Sequence, residues 1–112
     1  MRFSGNFARS FKMIIEFFEA ALHDLKISKE YYSKIHHDLG VHFLNDIEAA
    51  LKRIKKHPNA CTMHPNFSHL RLKQCKRFPF TIIYHPDFKA KTAYIVAVAH
   101  QKREPNYWTD RI

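Results

Sequence analysis

Residues 92–100 read TAYIVAVAH, and within them Tyr94-Ile95-Val96-Ala97-Val98-Ala99 is an unbroken apolar run of strand length. Such a run, rich in β-branched residues and bounded by polar positions, predicts a central strand buried on both faces. Its neighbours follow outward along the chain. Phe80 to His85 is a further strand candidate, and the Pro86-Asp87 pair predicts the turn of an antiparallel hairpin into residue 92. A third strand is expected over His69 to Lys76, where Leu70 and Leu72 alternate with Arg71, Lys73 and Cys75. Residues 59–68, NACTMHPNFS, have no periodicity and many turn formers, so they read as a loop.

Upstream the period changes. Met13 to Phe18 is short, apolar and aromatic, which predicts a strand feeding directly into a helix. From Glu19 to Leu39 the positions Leu22, Leu25, Tyr32, Ile35 and Leu39 share a stripe, and Gly40 stands where a left-handed residue commonly ends a helix. Phe43, Leu44, Ile47, Ala50, Leu51 and Ile54 then mark a second amphipathic helix, stopped by His57-Pro58. The order β-α-α-β-β-β predicts an α+β fold in which two N-terminal helices pack on one face of a small, mostly antiparallel sheet. The opposite face is expected to be solvent or a binding surface.

The chain has 112 residues, enough for one compact core and too few for two. Composition, 46% hydrophobic with two Gly and five Pro, excludes a disordered or fibrous chain. Two cysteines, Cys61 and Cys75, fall short of a disulfide framework and read as free thiols in a reducing cytoplasm. No apolar stretch reaches the roughly 20 residues of a membrane span, and residues 1–12 lack the apolar core of a secretory signal. Nine histidines invite a zinc reading, but His36, His37, His57, His64, His69 and His85 do not follow ligand spacing, so neither metal nor other cofactor is expected.

Charge carries the functional signal. Nineteen Lys and Arg against ten Asp and Glu give +9, which predicts a polyanionic or acidic partner. The placement is uneven: residues 16–48 hold seven acids and three bases, whereas residues 49–86 hold eight bases and no acid. Arg53, Arg71, Lys73 and Lys76 within that segment are candidate phosphate contacts, joined by Arg103. In the last strand His100 is expected to share a face with Val98 and Val96, followed by Arg103 and Tyr107. An imidazole, a phenol and a guanidinium such as Arg77 are the groups that metal-free RNA cleavage needs: a base for the 2′-hydroxyl, an acid for the leaving oxygen, and a cation for the phosphorane. His100, Tyr107 and Arg77 are therefore the candidate catalytic set. Against this stands a plainer account, in which basic strands merely solvate a sheet and a Tyr-Trp pair covers a core.

Several motifs occur together: Glu19-Ala20-Ala21-x-x-Asp24-Leu25 and Tyr31-Tyr32, Leu39-Gly40-x-x-Phe43 into Ile47-Glu48-x-Ala50-Leu51 and His57-Pro58, then Arg71 and Phe78-Pro79-Phe80-x-Ile82-x-Tyr84. The chain closes with Val96-x-Val98-x-His100-x-x-Arg103-x-Pro105-x-Tyr107-Trp108. In that order they resemble the RelE/ParE toxin superfamily, including its plasmid stabilisation proteins, over nearly everything from Met13 onward. The resemblance implies a toxin domain over residues 13–112, with residues 1–12 an upstream, disordered extension. It also implies a cognate antitoxin that wraps the toxin in a hetero-oligomer, an acidic antitoxin being drawn to residues 49–86. The superfamily divides between ribosome-dependent mRNA endoribonucleases and non-catalytic inhibitors of DNA gyrase. Arg71, Arg77, His100 and Tyr107 lie where the nuclease branch places its phosphate-contacting and acid–base residues, and the sequence reading leans to RNA cleavage. The gyrase-inhibiting alternative rests on the likeness to plasmid stabilisation forms. A degenerate toxin that only binds its antitoxin is the third reading.

Overall fold

A computed structural model describes residues 12–112. The expectation for residues 1–12 falls, apart from Lys12, outside the described residues. Strand β1, Ile14–Phe17, runs straight into helix α1, Glu19–Ile35, whose buried side carries Ala21 and Asp24. Helix α1 stops earlier than the periodicity suggests. His36 takes an extended conformation (φ −159°), donates its N–H to the Tyr32 carbonyl at 3.1 Å, and accepts from the Asp38 N–H on Nδ1 at 3.2 Å. One residue thus ends α1 and caps helix α2, His37–Lys56.

Gly40 is therefore not the left-handed end of a helix. It lies inside α2, and no glycine among the described residues has positive φ. Its role is close approach: a Cβ there would overlap Ser33 Oγ and sit 3.3 Å from the Lys29 carbonyl of α1. Glycine is what lets the two helices fold back on each other. Phe43, Ile47, Ala50 and Ile54 then form the buried stripe of α2, and Arg53, Lys55 and Lys56 in its last turn oppose the negative end of the helix dipole.

Four further strands complete one sheet: β2 (Thr62–Met63), β3 (Arg71–Gln74), β4 (Phe80–Asp87) and β5 (Thr92–His100), in the order β1-β5-β4-β3-β2. Strand β1 lies parallel to β5 and the remaining pairings are antiparallel. The predicted α+β architecture stands, with β5 central. Two details differ. Strand β2 occupies part of the expected loop, and β4 continues through Pro86 and Asp87, so the hairpin turns at residues 88–91. There Asp87 Oδ1 accepts from the Ala90 N–H at 3.1 Å and Lys91 has φ 52°.

The β4–β5 register breaks at Ile83/Tyr84: Ile83 faces Ala97 while Tyr84 faces Ile95. This bulge in β5 changes the alternation. Ile95 and Val98 join Phe43, Ile47, Ile54, Phe80, Ile82 and Tyr84 beneath the helices, whereas Val96 and Ala97 pack on the other face. His100 therefore shares a face with Val98 but not with Val96, contrary to strict period-two expectation. The face away from the helices is not bare either. Leu70, Ile83, Val96, Ala97 and Trp108 form a second core there, closed by Phe67, Leu72 and Tyr107.

A carboxylate clasp beside the candidate site

Strand β1 pairs with β5 only as far as Ile95, and the edge of β5 beyond it needs other partners for its backbone groups. Asp24 and Arg111 supply them. The Val98 N–H donates to Asp24 Oδ2 at 3.1 Å, and the Val96 carbonyl accepts from Arg111 Nη1 at 3.0 Å. The two side chains also join each other: Arg111 Nη1 reaches Asp24 Oδ2 at 2.7 Å and Nη2 reaches Oδ1 at 3.1 Å, a bidentate pair. The Tyr107 hydroxyl adds a fourth donor group at 3.0 Å. The Asp24 side chain is only 4% exposed and that of Arg111 16%, so this pair is protected from solvent.

Arg103 completes the clasp from outside. Its guanidinium lies 3.6 Å from the Tyr107 ring centroid and 4.0 Å from Asp24 Oδ1, with its side chain 54% exposed. Burial, then the charge and hydrogen bond of Asp24, push the Tyr107 phenol up to about 12, while the Asp24 hydrogen bond lifts Arg111 above its ordinary value. A cavity of about 300 Å³ opens beside the clasp, lined by His23, Ser28, Phe80, His100, Arg103 and Arg111 among others. Two guanidiniums facing one carboxylate leave its wall net positive.

The sequence-predicted site residues divide into groups. His100, Arg103 and Tyr107 come together at the C-terminal end of β5. His100 stacks edge-on against Phe80 at 5.1 Å and accepts from the Lys102 N–H on Nδ1 at 3.0 Å. Arg53, Lys73 and Lys76 meet elsewhere, around a groove of about 360 Å³ between α2 and β3 that Asp46 also lines. Arg71 is occupied within the fold, donating to the carbonyls of Cys61 at 2.9 Å and Asn59 at 3.3 Å. Arg77 is exposed in the β3–β4 loop, where its backbone N–H, not its side chain, is held by Asp46 Oδ2 at 3.0 Å. The imidazole of His100 thus has Tyr107 on its own strand end, but the Tyr107 proton is committed to Asp24.

Sequence reasoning missed Asp24, Asp46 and Arg111. A signal existed for the two acids. Asp24 stands three residues after buried Ala21, and Asp46 one before buried Ile47, so each interrupts a buried helix face where a carboxylate requires partners. Asp46 finds the Arg77 and Phe78 N–H groups, the latter at 2.8 Å. Among the described residues no cluster of three or more His, Cys, Asp or Glu side chains is arranged to hold a metal, and no helix is long and apolar enough to cross a membrane.

Known proteins agree with this architecture. A chain from a structure described as the chromosomal ParDE TA system from P. aeruginosa superposes with a TM-score of 0.67 over 80% of this chain and 97% of its own, at 17% identity. At that identity the likeness carries the fold. No curated protein matches the sequence. The family model of the ParE toxin of type II toxin–antitoxin system, parDE, matches residues 15–105, most of the chain, with strands β2 to β5 whole and all of β1 but Ile14. The protein belongs to the ParE toxin family of type II toxin–antitoxin systems.

Proposed function

We propose that this toxin arrests growth by binding its target, DNA gyrase in the manner of the ParE branch, and not by cutting mRNA. The observation that carries the reading is the state of Tyr107. Its hydroxyl donates to Asp24 at 3.0 Å and its phenol is pushed up to about 12, so it is a poor proton carrier near neutral pH. Arg71, the other strong candidate for the phosphate, turns its Nη1 inward to two carbonyls of the chain. The toxin works in the cytoplasm and is silenced there by a cognate antitoxin in a hetero-oligomer. The groove of Arg53, Lys73 and Lys76 suits the acidic side of such a partner. The same groove favours the second reading, ribosome-dependent RNA cleavage, because three cations can follow a phosphate backbone.

Tyr107→Phe separates the two. It removes one hydrogen bond, at a stability cost of about 1 kcal/mol, and every proton a phenol could transfer. Induction without antitoxin is expected to stop thymidine incorporation before amino-acid incorporation, for the native chain and for Tyr107→Phe alike. The purified chain is expected to inhibit gyrase supercoiling. Early loss of translation with mRNA cut at ribosome-occupied codons, abolished by Tyr107→Phe, would overturn the proposal in favour of the nuclease. No arrest by the native chain would leave the antitoxin-binding module.

A further inference from the structure

The sheet face turned away from the helices carries a row of rings beside its second core. Tyr84, Ala93 and Ile95 point toward the helices, so Tyr94 and its register partner His85 point to the opposite face. The two rings stack at 6.3 Å with 16° between their planes. His69 meets His85 edge-on at 5.4 Å, Phe67 meets His69 at 6.3 Å, and Phe18 meets Tyr94 at 6.5 Å. Cross-strand ring pairs stabilise a sheet, and Phe18 and Phe67 are accounted for by packing against its second core. Tyr94 and His85 remain half-buried and His69 is exposed. The His85 Nδ1 is held 3.1 Å from the His69 carbonyl, which can only accept, so this nitrogen carries the proton and fixes the ring's orientation.

The corner beside these rings is basic. Lys89 and Lys91 lie in the β4–β5 turn, and the Ile14 N–H donates to the Lys91 carbonyl at 2.8 Å while the Met13 N–H donates to the Lys55 carbonyl at 3.2 Å, so the chain enters β1, with Lys12 two residues upstream of Ile14, between this turn and the end of α2. The acids nearby are Glu16, the register partner of Tyr94, and Asp87, whose Oδ1 is taken by the Ala90 N–H. Lys91 holds φ 52°, a conformation that glycine or asparagine adopts more cheaply. We propose that this face is a platform for single-stranded nucleic acid, with bases stacking on Tyr94, His85 and His69 and phosphates meeting Lys12, Lys89 and Lys91. Stacking on rings with backbone contacts from lysines is the chemistry of sequence-tolerant single-strand binding. The proposal is independent of how growth is arrested, since binding is read on the isolated chain.

The test is fluorescence anisotropy of the purified full chain with fluorescein-labelled oligo-dT and oligo-U of about 12 nucleotides, within the span of single-strand sites. His69→Ala, His85→Ala and Tyr94→Leu are each expected to weaken binding about five-fold or more, the range of one lost base stack. Lys91→Gly is the variant that keeps the proposal testable if a ring variant misfolds. It relieves the left-handed backbone, yet should weaken binding and make the log–log salt dependence shallower by about 0.7, one phosphate contact on a single strand. Lys26→Ala, an equal loss of charge on the exposed side of α1, should change nothing. Binding of either probe with this pattern establishes the platform, and the tighter probe names DNA or RNA as the source. No binding at about 50 mM salt, equal weakening by Lys26→Ala, or a loss that follows Arg53→Ala and Lys73→Ala instead of the ring variants would overturn it.

Discussion

Asp24→Ala is the substitution whose cost follows most directly from the structure. It strands the Val98 N–H, the Tyr107 hydroxyl and, above all, Arg111, whose guanidinium is 16% exposed and loses both of its carboxylate bonds. Removing one partner of a buried ion pair costs about 3–5 kcal/mol, because the remaining charge stays desolvated. For a domain of this size that is a fall in Tm of roughly 12–20 °C. Arg103 supplies the contrast: its pairing with Asp24 is at 4.0 Å and 54% exposed, so Arg103→Ala should cost about 1 kcal/mol, mostly through its contact with the Tyr107 ring. Trp108 is the single tryptophan, is buried, and neighbours Tyr107 in sequence, so its fluorescence in a urea titration reads the unfolding. The double variant Asp24→Leu/Arg111→Met removes both charges and should recover the part of the loss due to the stranded guanidinium, the remainder, about 1–3 kcal/mol, belonging to the Val98 N–H, the Val96 carbonyl and the Tyr107 hydroxyl left without these partners. A loss under about 1 kcal/mol for Asp24→Ala, or a double variant no better than the single, would refute the clasp as an energetic feature.

Two further outcomes are expected. The Tyr107 phenol ionises near 10 when unfolded and near 12 when folded, so the native state retains the proton in between. Its contribution is complete below pH 10 and is lost as pH rises toward 12. Burial lifts the Cys75 thiol from 9.0 to about 12 in the same sense, so the midpoint of urea unfolding should fall steadily from pH 9 upward. Tyr107→Phe should flatten the upper part of that fall, and an unchanged profile would count against the assignment. Gly40→Ala gains about 1 kcal/mol of helix propensity but drives a methyl into Ser33 and toward the Lys29 carbonyl. A net loss of about 1–2 kcal/mol is expected, partly recovered by Ser33→Ala, and a stabilised variant would show that the helices can move apart without cost.

Elements whose residues all state one preference were legible in the sequence. The apolar run of β5 and the paired stripes of the helices predict the α+β fold, and the limits of β5 agree at both ends because polar residues bound it. Features that depend on a partner distant in the chain were not. Gly40 looks like a helix end until Ser33 is seen against it. The bulge that separates Val96 from His100 has no local signature among Val and Ala. Arg71 reads as a free cation because the carbonyls of Asn59 and Cys61 that hold it belong to a segment without periodicity. Asp24 was visible as a motif residue but not as a hub, since all of its donors lie 74 to 87 positions away and the farthest, Arg111, follows the recognisable string.

That string, His100 to Trp108, shows why residue types alone lean toward catalysis. A guanidinium, a phenol and an imidazole can stabilise a phosphorane, but the first two can equally hold a buried carboxylate, because both tasks amount to presenting N–H and O–H donors to oxygen-borne negative charge. What separates the tasks is whether the anion is already supplied by the chain. Here Asp24 supplies it at 4% exposure, and the donors that converge on it also close the open edge of β5 and pin the C-terminal segment over the second core. A substrate phosphate would have to displace a carboxylate bound through two charge-assisted hydrogen bonds, and displacing it would release that segment from the sheet. The clasp therefore gains more from staying closed than a catalytic site does, and among the described residues the surfaces still free to meet a partner include the groove of Arg53, Lys73 and Lys76, the rim at His100, and the ring-lined corner beside Lys91.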